Sequence, residues 1–263
     1  MKRKIKETAS VVFTALLISS IGGCSGSDKA ESTSTESVTS AAVVTTVTEE
    51  TTSEVLLTEE TSEETTEAFK IEAQVGDLVE FGSYAEKSIS WMVLDETEDK
   101  YLLLSEKGLA SKYMDSDTSD VITWEECELR QWLNGDFYND SFSEQEKNII
   151  ATVTNVNIGN EEYDIDGGND TEDMIFLLSL EEVENYFGSE SERVCYPTDK
   201  AISDGCYVFT RSNGGNDAAR WWTRTAGNMP GGFRYVECEG GIPFGGLADN
   251  SNITIRPAVW VNK

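Results

Sequence analysis

The chain has 263 residues, 49 acidic against 20 basic side chains, a formal net charge of −29 and no histidine. A field of that sign repels phosphate backbones, which excludes nucleic acid as a partner. The missing histidine removes Ser-His-Asp and Cys-His nucleophiles, histidine-bound catalytic metals and the usual neutral-pH base.

Residues 1–23 have the order of a secretory signal. Met1-Lys-Arg-Lys-Ile-Lys6 is positive, Val11 to Ile21 is apolar, and Ile21-Gly-Gly-Cys24 puts small residues before a cysteine. The apolar run is shorter than the roughly 20 residues that span a bilayer. A cysteine after small residues resembles the bacterial lipobox, which implies that Cys24 becomes a lipidated N-terminus. Membrane lipid is then the first expected partner, the rest of the chain is extracytoplasmic, and two or more acyl chains make the anchor stable. Residues 24–67 follow as a stalk. From Ser25 to Glu67, 20 of 43 residues are Ser or Thr, 11 are acidic and none is aromatic, so the segment cannot bury enough surface to offset its chain entropy.

Residues 68–263 form the expected single globular domain, with 37 acidic and 15 basic residues. Val75–Tyr84, Ile89–Leu94 and Tyr101–Leu104 read as short strands between charged turns. Thr123, Ser143 and Ser179 each open an S/T-x-x-E capping box, which predicts helices over 124–134, 143–150 and 180–187. Met174–Leu178 reads as a strand buried on both faces. Four Gly-Gly pairs then bracket strands around 221–224, 235–238 and 253–256, and Ile253, Ile255, Val259 and Val261 alternate as one final strand. Mixed short strands with capped helices and long Gly-rich loops give an α+β class rather than a doubly wound sheet. Four cysteines remain in the domain. Buried free thiols are the leading reading; of the three disulfide pairings that stay open beside it, Cys195–Cys206 comes first because the pair flanks a turn-rich segment.

The landmarks Phe81-Gly-Ser-Tyr84 with Ile89-Ser-Trp91, Thr123-Trp-Glu with Leu129-Arg-Gln-Trp-Leu-Asn134, Gly167–Thr171 with Asp173–Ser179, Trp221-Trp-Thr-Arg224 and Ile255–Trp260 occur in this order. Together they resemble the bacterial secreted domain of unknown function 6273, over about residues 76–262. The closing pattern of a Trp-Arg strand, Gly-rich loops and an Arg-containing terminal strand also resembles the C-type-lectin-like superfold, which includes formylglycine-generating enzymes. The catalytic cysteine pair of those enzymes has no counterpart among Cys195, Cys206 and Cys238.

Five of the seven arginines after residue 67 lie in the Gly-rich final third. Arg224 and Arg256, on expected strands, read as internal partners. Arg211, Arg220 and Arg234 lie in or beside loops and are candidate ligand contacts. Trp221 and Trp222 join them, because adjacent strand residues face opposite sides and one of the two is expected to stand exposed. The acidic loop with Asp164, Asp166, Asn169, Asp170 and Asp173 is a candidate calcium site, since calcium takes six to eight oxygens. Calcium is the one cofactor this chemistry suggests, and the loop departs from an EF-hand at Gly168 and Asn169. The reading that follows is a surface-anchored module that binds a glycan or a protein, without a catalytic motif. A carboxylate-dependent glycan hydrolase needs only two carboxylic groups. That enzyme and a structural envelope-assembly protein are the alternatives.

Overall fold

The computed structural model describes residues 69–118, 121–210 and 217–263. The leader, Cys24, the stalk and Arg211 lie outside the described residues. Strand β1 (Leu78–Tyr84) pairs antiparallel with β2 (Lys87–Glu96) across a two-residue turn. Along β2, Ile89, Trp91 and Val93 point into the core at the strand period of two. The turn residues Ala85 and Glu86 have φ of 50° and 62°, the left-handed pair that such a tight hairpin requires and that Asn-Gly usually supplies. Gly82 has φ of 67°, and a Cβ there would lie 2.6 Å from the Phe142 ring. The bulge in β1 therefore needs glycine.

Strand β3 (Lys100–Ser105) adds to β2 and is buried along nearly its whole length. The chain then leaves for β4 (Ala110–Ser111), which belongs to a second sheet. The helical region comes next: α1 (Glu128–Trp132), a π-helical turn (Leu133–Phe137), α2 (Tyr138–Ser141) and α3 (Glu144–Lys147). A small ladder joins β5 (Val153–Asn155) to β6 (Thr171–Asp173), and β7 (Ile175–Phe176) leads into α4 (Leu180–Tyr186). Two further short helices, α5 (Glu190–Arg193) and α6 (Asp199–Ser203), precede a ladder of β8 (Val208–Phe209) and β9 (Ala218–Ala219). The closing strands are β10 (Trp221–Ala226), β11 (Gly232–Val236), β12 (Gly246–Leu247), β13 (Thr254–Ile255) and β14 (Ala258–Asn262).

One antiparallel sheet runs β1-β2-β3-β14-β7, and the other runs β12-β11-β10-β13-β4, with β10 and β13 parallel. A continuous core joins them through Trp91, Leu103, Phe176, Val183, Trp221, Trp222 and Val259. The class is α+β, as the element pattern indicates.

Two local expectations need correction. The Thr123 box does not form: Thr123 Oγ1 is buried without a partner. The chain turns through 124–126 to bury Trp124, and the helix opens after Cys127. There the Glu128 N–H is met by Asp115 Oδ2 at 3.1 Å, a cap from a distant segment. The Ser143 and Ser179 boxes do form, although the Ser143 helix ends after one turn, at Lys147. Second, the final strand is two strands. Pro257 has no N–H to continue a ladder, and the chain changes sheet at Arg256-Pro257. The cysteines follow the leading reading: Cys127, Cys195, Cys206 and Cys238 are all free and buried, and Cys195 and Cys206 are not bridged. Burial pushes the Cys127 thiol up to about 12 and Cys206 up to about 11. Thiols held protonated at neutral pH are poor nucleophiles.

Candidate functional site

Most of the landmark residues turn inward. Asp173, on β6, has a fully buried side chain and accepts from four side chains. Arg130 Nε lies at 2.6 Å, Thr171 Oγ1 at 2.7 Å, Asn155 Nδ2 at 2.9 Å and Trp124 Nε1 at 3.0 Å. Asn134 extends the same network, its Oδ1 accepting from the N–H groups of Met174 and Ile175. On the other side, Arg224 forks onto both oxygens of Glu182, at 2.5 and 3.0 Å. Glu182 is also the capping-box carboxylate of α4, so one residue fixes the helix start and the β10 arginine together. Arg256 is 2% exposed. It donates to the Ser105 carbonyl at 2.8 Å and lies over Trp221 at 5.1 Å and Phe187 at 5.5 Å. These residues hold elements together, and that accounts for their pattern in the sequence.

Asp173 is therefore committed to the core and not to the acidic loop. Of the other four residues named as calcium ligands, three have partners within the domain. Asp166 Oδ1 accepts from Gly168 N, and Asp170 Oδ1 accepts from Asn157 N. Asn169 donates from its backbone and its side-chain amide to Glu125 Oε2, and Asp164 sits exposed at φ 54°. Among the described residues no group of three carboxylate or thiol side chains is placed to hold a metal ion.

The Gly-rich face differs from expectation at the tryptophan pair. Trp221 and Trp222 both have no exposed surface, because β10 is the middle strand of its sheet and both faces are covered. Trp221 Nε1 donates to the Arg193 carbonyl and Trp222 Nε1 to the Lys112 carbonyl. Neither presents a ring to solvent, which corrects the expectation of one exposed ring. Arg220 remains at the surface, stacked between Tyr207 at 4.6 Å and Tyr235 at 5.6 Å. Its Nε is held by Glu237 at 2.8 Å. Arg234 donates to the Phe244 carbonyl at 3.2 Å and ties down the loop before β12. Both arginines are thus engaged within the domain. Arg211 lies outside the described residues.

A different cleft gathers what a polar ligand needs. Its volume is about 450 Å³, and it opens where the end of β1, the β4 edge, the helical run and α6 converge. Tyr84, Trp132 and Phe137 form an aromatic floor, with Tyr84 edge-on to Trp132 at 6.1 Å and Trp132 5.1 Å from Phe137. Lys112 Nζ lies over the Trp132 ring at 4.5 Å. Asp136, Asp140, Lys200 and Asp204 form the rim with Lys112, and Ser111 and Ser141 line the wall. Ser141 is 3% exposed and its Oγ has no hydrogen-bond partner. A buried orphan hydroxyl of this kind calls for an explanation. Burial pushes the Tyr84 phenol above its usual range, against the pull of Lys200 and with a smaller push from Asp204. It stays a hydrogen-bond donor at neutral pH. The π-helical turn that carries Asp136 is the local irregularity of the helical run, and such turns concentrate at functional sites. The aromatic floor falls on two of the sequence landmarks, but the polar rim does not. Two rim pairs sit at i,i+4 spacing, Asp136 with Asp140 on the helical run and Lys200 with Asp204, which form an ion pair.

The sequence comparison decides the family. The family model described as domain of unknown function 6273 matches residues 98–263, more than half of the chain. The chain belongs to this family. The match begins after β2, so the Phe81–Tyr84 and Ile89–Trp91 landmarks stand outside it, and that family description names no activity. No curated protein and no solved structure matches the chain. Nothing in these comparisons adds to the C-type-lectin-like resemblance.

Proposed function

We propose that this DUF6273 protein is a surface-anchored lipoprotein whose extracytoplasmic domain binds a glycan in the Tyr84–Trp132 cleft. The observation that carries the reading is the lining of that cleft. Aromatic edges lie beside two ammonium groups, three carboxylates and an unpartnered buried hydroxyl. A sugar ring offers an apolar face to an aromatic and hydroxyls that both donate and accept, so a mixed rim of this kind suits it. The binding face moves from the Gly-rich loops to this cleft, because Trp221 and Trp222 are enclosed and Arg220 and Arg234 have internal partners. Anchoring at Cys24 rests on the leader sequence, and changing Cys24 to Ala with cell fractionation tests it. Release of the protein from the membrane supports lipidation; unchanged membrane retention supports a plain anchor.

The glycan reading is tested by probing the full chain in detergent against a glycan array, beside a reducing-sugar release assay on the same glycans. Binding that Asp140→Asn with Lys112→Ala abolishes while the fold is kept supports a binding module. Catalytic product release that depends on Asp136 or Asp140 would make the protein a hydrolase instead.

A further inference from the structure

A second groove, independent of the cleft, lies between β5 and α4. Its volume is also about 450 Å³. One wall is the consecutive run 154–159, and the other is the first part of α4, from Ser179 to Asn185. Neighbouring residues of an extended chain point to opposite sides. Thr154 and Asn155 belong to β5 and 156–159 continue the chain beyond it; when six consecutive residues all border one groove, the groove follows the edge of that run and not one of its faces. The β5 part of that edge is open: among the described residues β5 has β6 as its only ladder partner in a two-stranded sheet, so its other side presents backbone N–H and C=O groups with no ladder partner.

The side chains along the groove say what covers it. Val156 and Ile158, two apart, are 56% and 60% exposed, among the most exposed apolar residues described. Asn157 between them turns the other way and donates to Asn169 and Thr171 across the ladder. Opposite the apolar pair, Glu181 and Glu184 border the groove and have no ion pair among the described residues, while Glu182 is held by Arg224. Arg224 neutralises Glu182, so the groove keeps an excess of two carboxylates. Arg224 is 6% exposed, lies at this groove, and its Nε–H has no acceptor. A peptide carbonyl is the kind of group that would satisfy it.

We propose that this groove is a docking site for an extended, basic peptide segment of a partner protein, which adds as a strand along the free edge of β5 and the 156–159 segment that continues it. Main-chain hydrogen bonds to β5 would supply affinity. Alternate apolar side chains would cover Val156 and Ile158, and a Lys or Arg would meet Glu181 or Glu184. An acidic segment is disfavoured by the same carboxylates.

The probe is a fluorescently labelled, end-capped hexapeptide alternating valine and lysine, titrated into the full chain in detergent, with its valine–glutamate counterpart as the comparison. The lysine peptide is expected to bind at least tenfold more tightly than the glutamate one. Hydrogen exchange should slow at 153–159 on binding. Ile158→Asp and the pair Glu181→Lys with Glu184→Lys change exposed residues, so the fold should survive. Each should weaken binding at least tenfold, while Asp136→Asn with Asp140→Asn in the cleft leaves it unchanged. No binding at millimolar peptide, equal binding of the two peptides, protection that appears elsewhere, or indifference to the groove substitutions overturns the proposal.

Discussion

Two sets of carboxylates in this domain have opposite surroundings. Asp173 is enclosed and receives four close donors from Arg130, Trp124, Asn155 and Thr171. Asp136 and Asp140 stand exposed on the rim of the Tyr84–Trp132 cleft. A sequence reader meets the same residue type in both places, and the acidic loop next to Asp173 looks the more functional of the two. The structure reverses that impression. The enclosed carboxylate is a structural hub, and the exposed pair is available to a ligand. In a chain with 49 acidic residues, what surrounds a carboxylate says more than how many lie nearby.

That contrast can be broken by mutation, and the largest effect is expected at the hub. Asp173→Ala leaves the Arg130 guanidinium partly buried without its partner and strands three further donors, which should cost about 4 kcal/mol. Urea unfolding of the full chain would measure it. A loss under about 1 kcal/mol would mean the hub is not structural. Arg256→Ala should come next, at about 3 kcal/mol, because it removes hydrogen bonds to the 105–106 carbonyls and the stack on Trp221. Replacing Asp136 and Asp140 together by Asn should change stability by less than about 0.5 kcal/mol, as expected of exposed sites.

A pH titration sharpens the same division between inside and outside. Burial holds the Cys127 thiol up at about 12 and the Cys206 thiol at about 11. Burial, with Asp95 beside it, holds the Tyr186 phenol at about 12. In the unfolded chain these groups lose their protons from about pH 9 to 10. The folded state then binds more protons than the unfolded one, so stability falls as pH rises. It should be fully present below about pH 9 and decline steadily to about pH 12. A denaturant midpoint that is flat over that window would contradict the buried thiols. One substitution should raise stability. Ala85→Asn with Glu86→Gly fits the left-handed turn of the first hairpin and should stabilise by about 1 kcal/mol, read as a higher midpoint.

The sequence made the α+β class, the three N-terminal strands and the Ser143 and Ser179 caps legible, because each rests on local chemistry. Failures came where a distant contact prevailed. Thr123 lost its cap to the burial of Trp124 against Asp173, and Asp115 supplied the cap from thirteen residues away. Pro257 split the alternating run, because alternation says which faces are buried and not which sheet they belong to. Trp221 and Trp222 were judged as if their sheet had one wet face, and β10 has none. The cleft itself was illegible. Tyr84, Ser111, Trp132, Asp140 and Lys200 come from separate elements, and no spacing links them.

The central claim is that the cleft, and not the landmark network, is where this domain meets its ligand. A thermal melt of the full chain with and without a saturating glycan identified on an array tests it most directly. Ligand that binds the native state raises its Tm by mass action. The account predicts a rise for the natural chain and none for Asp136→Asn with Asp140→Asn, with equal Tm values when no ligand is present. An undiminished rise in that variant would contradict it.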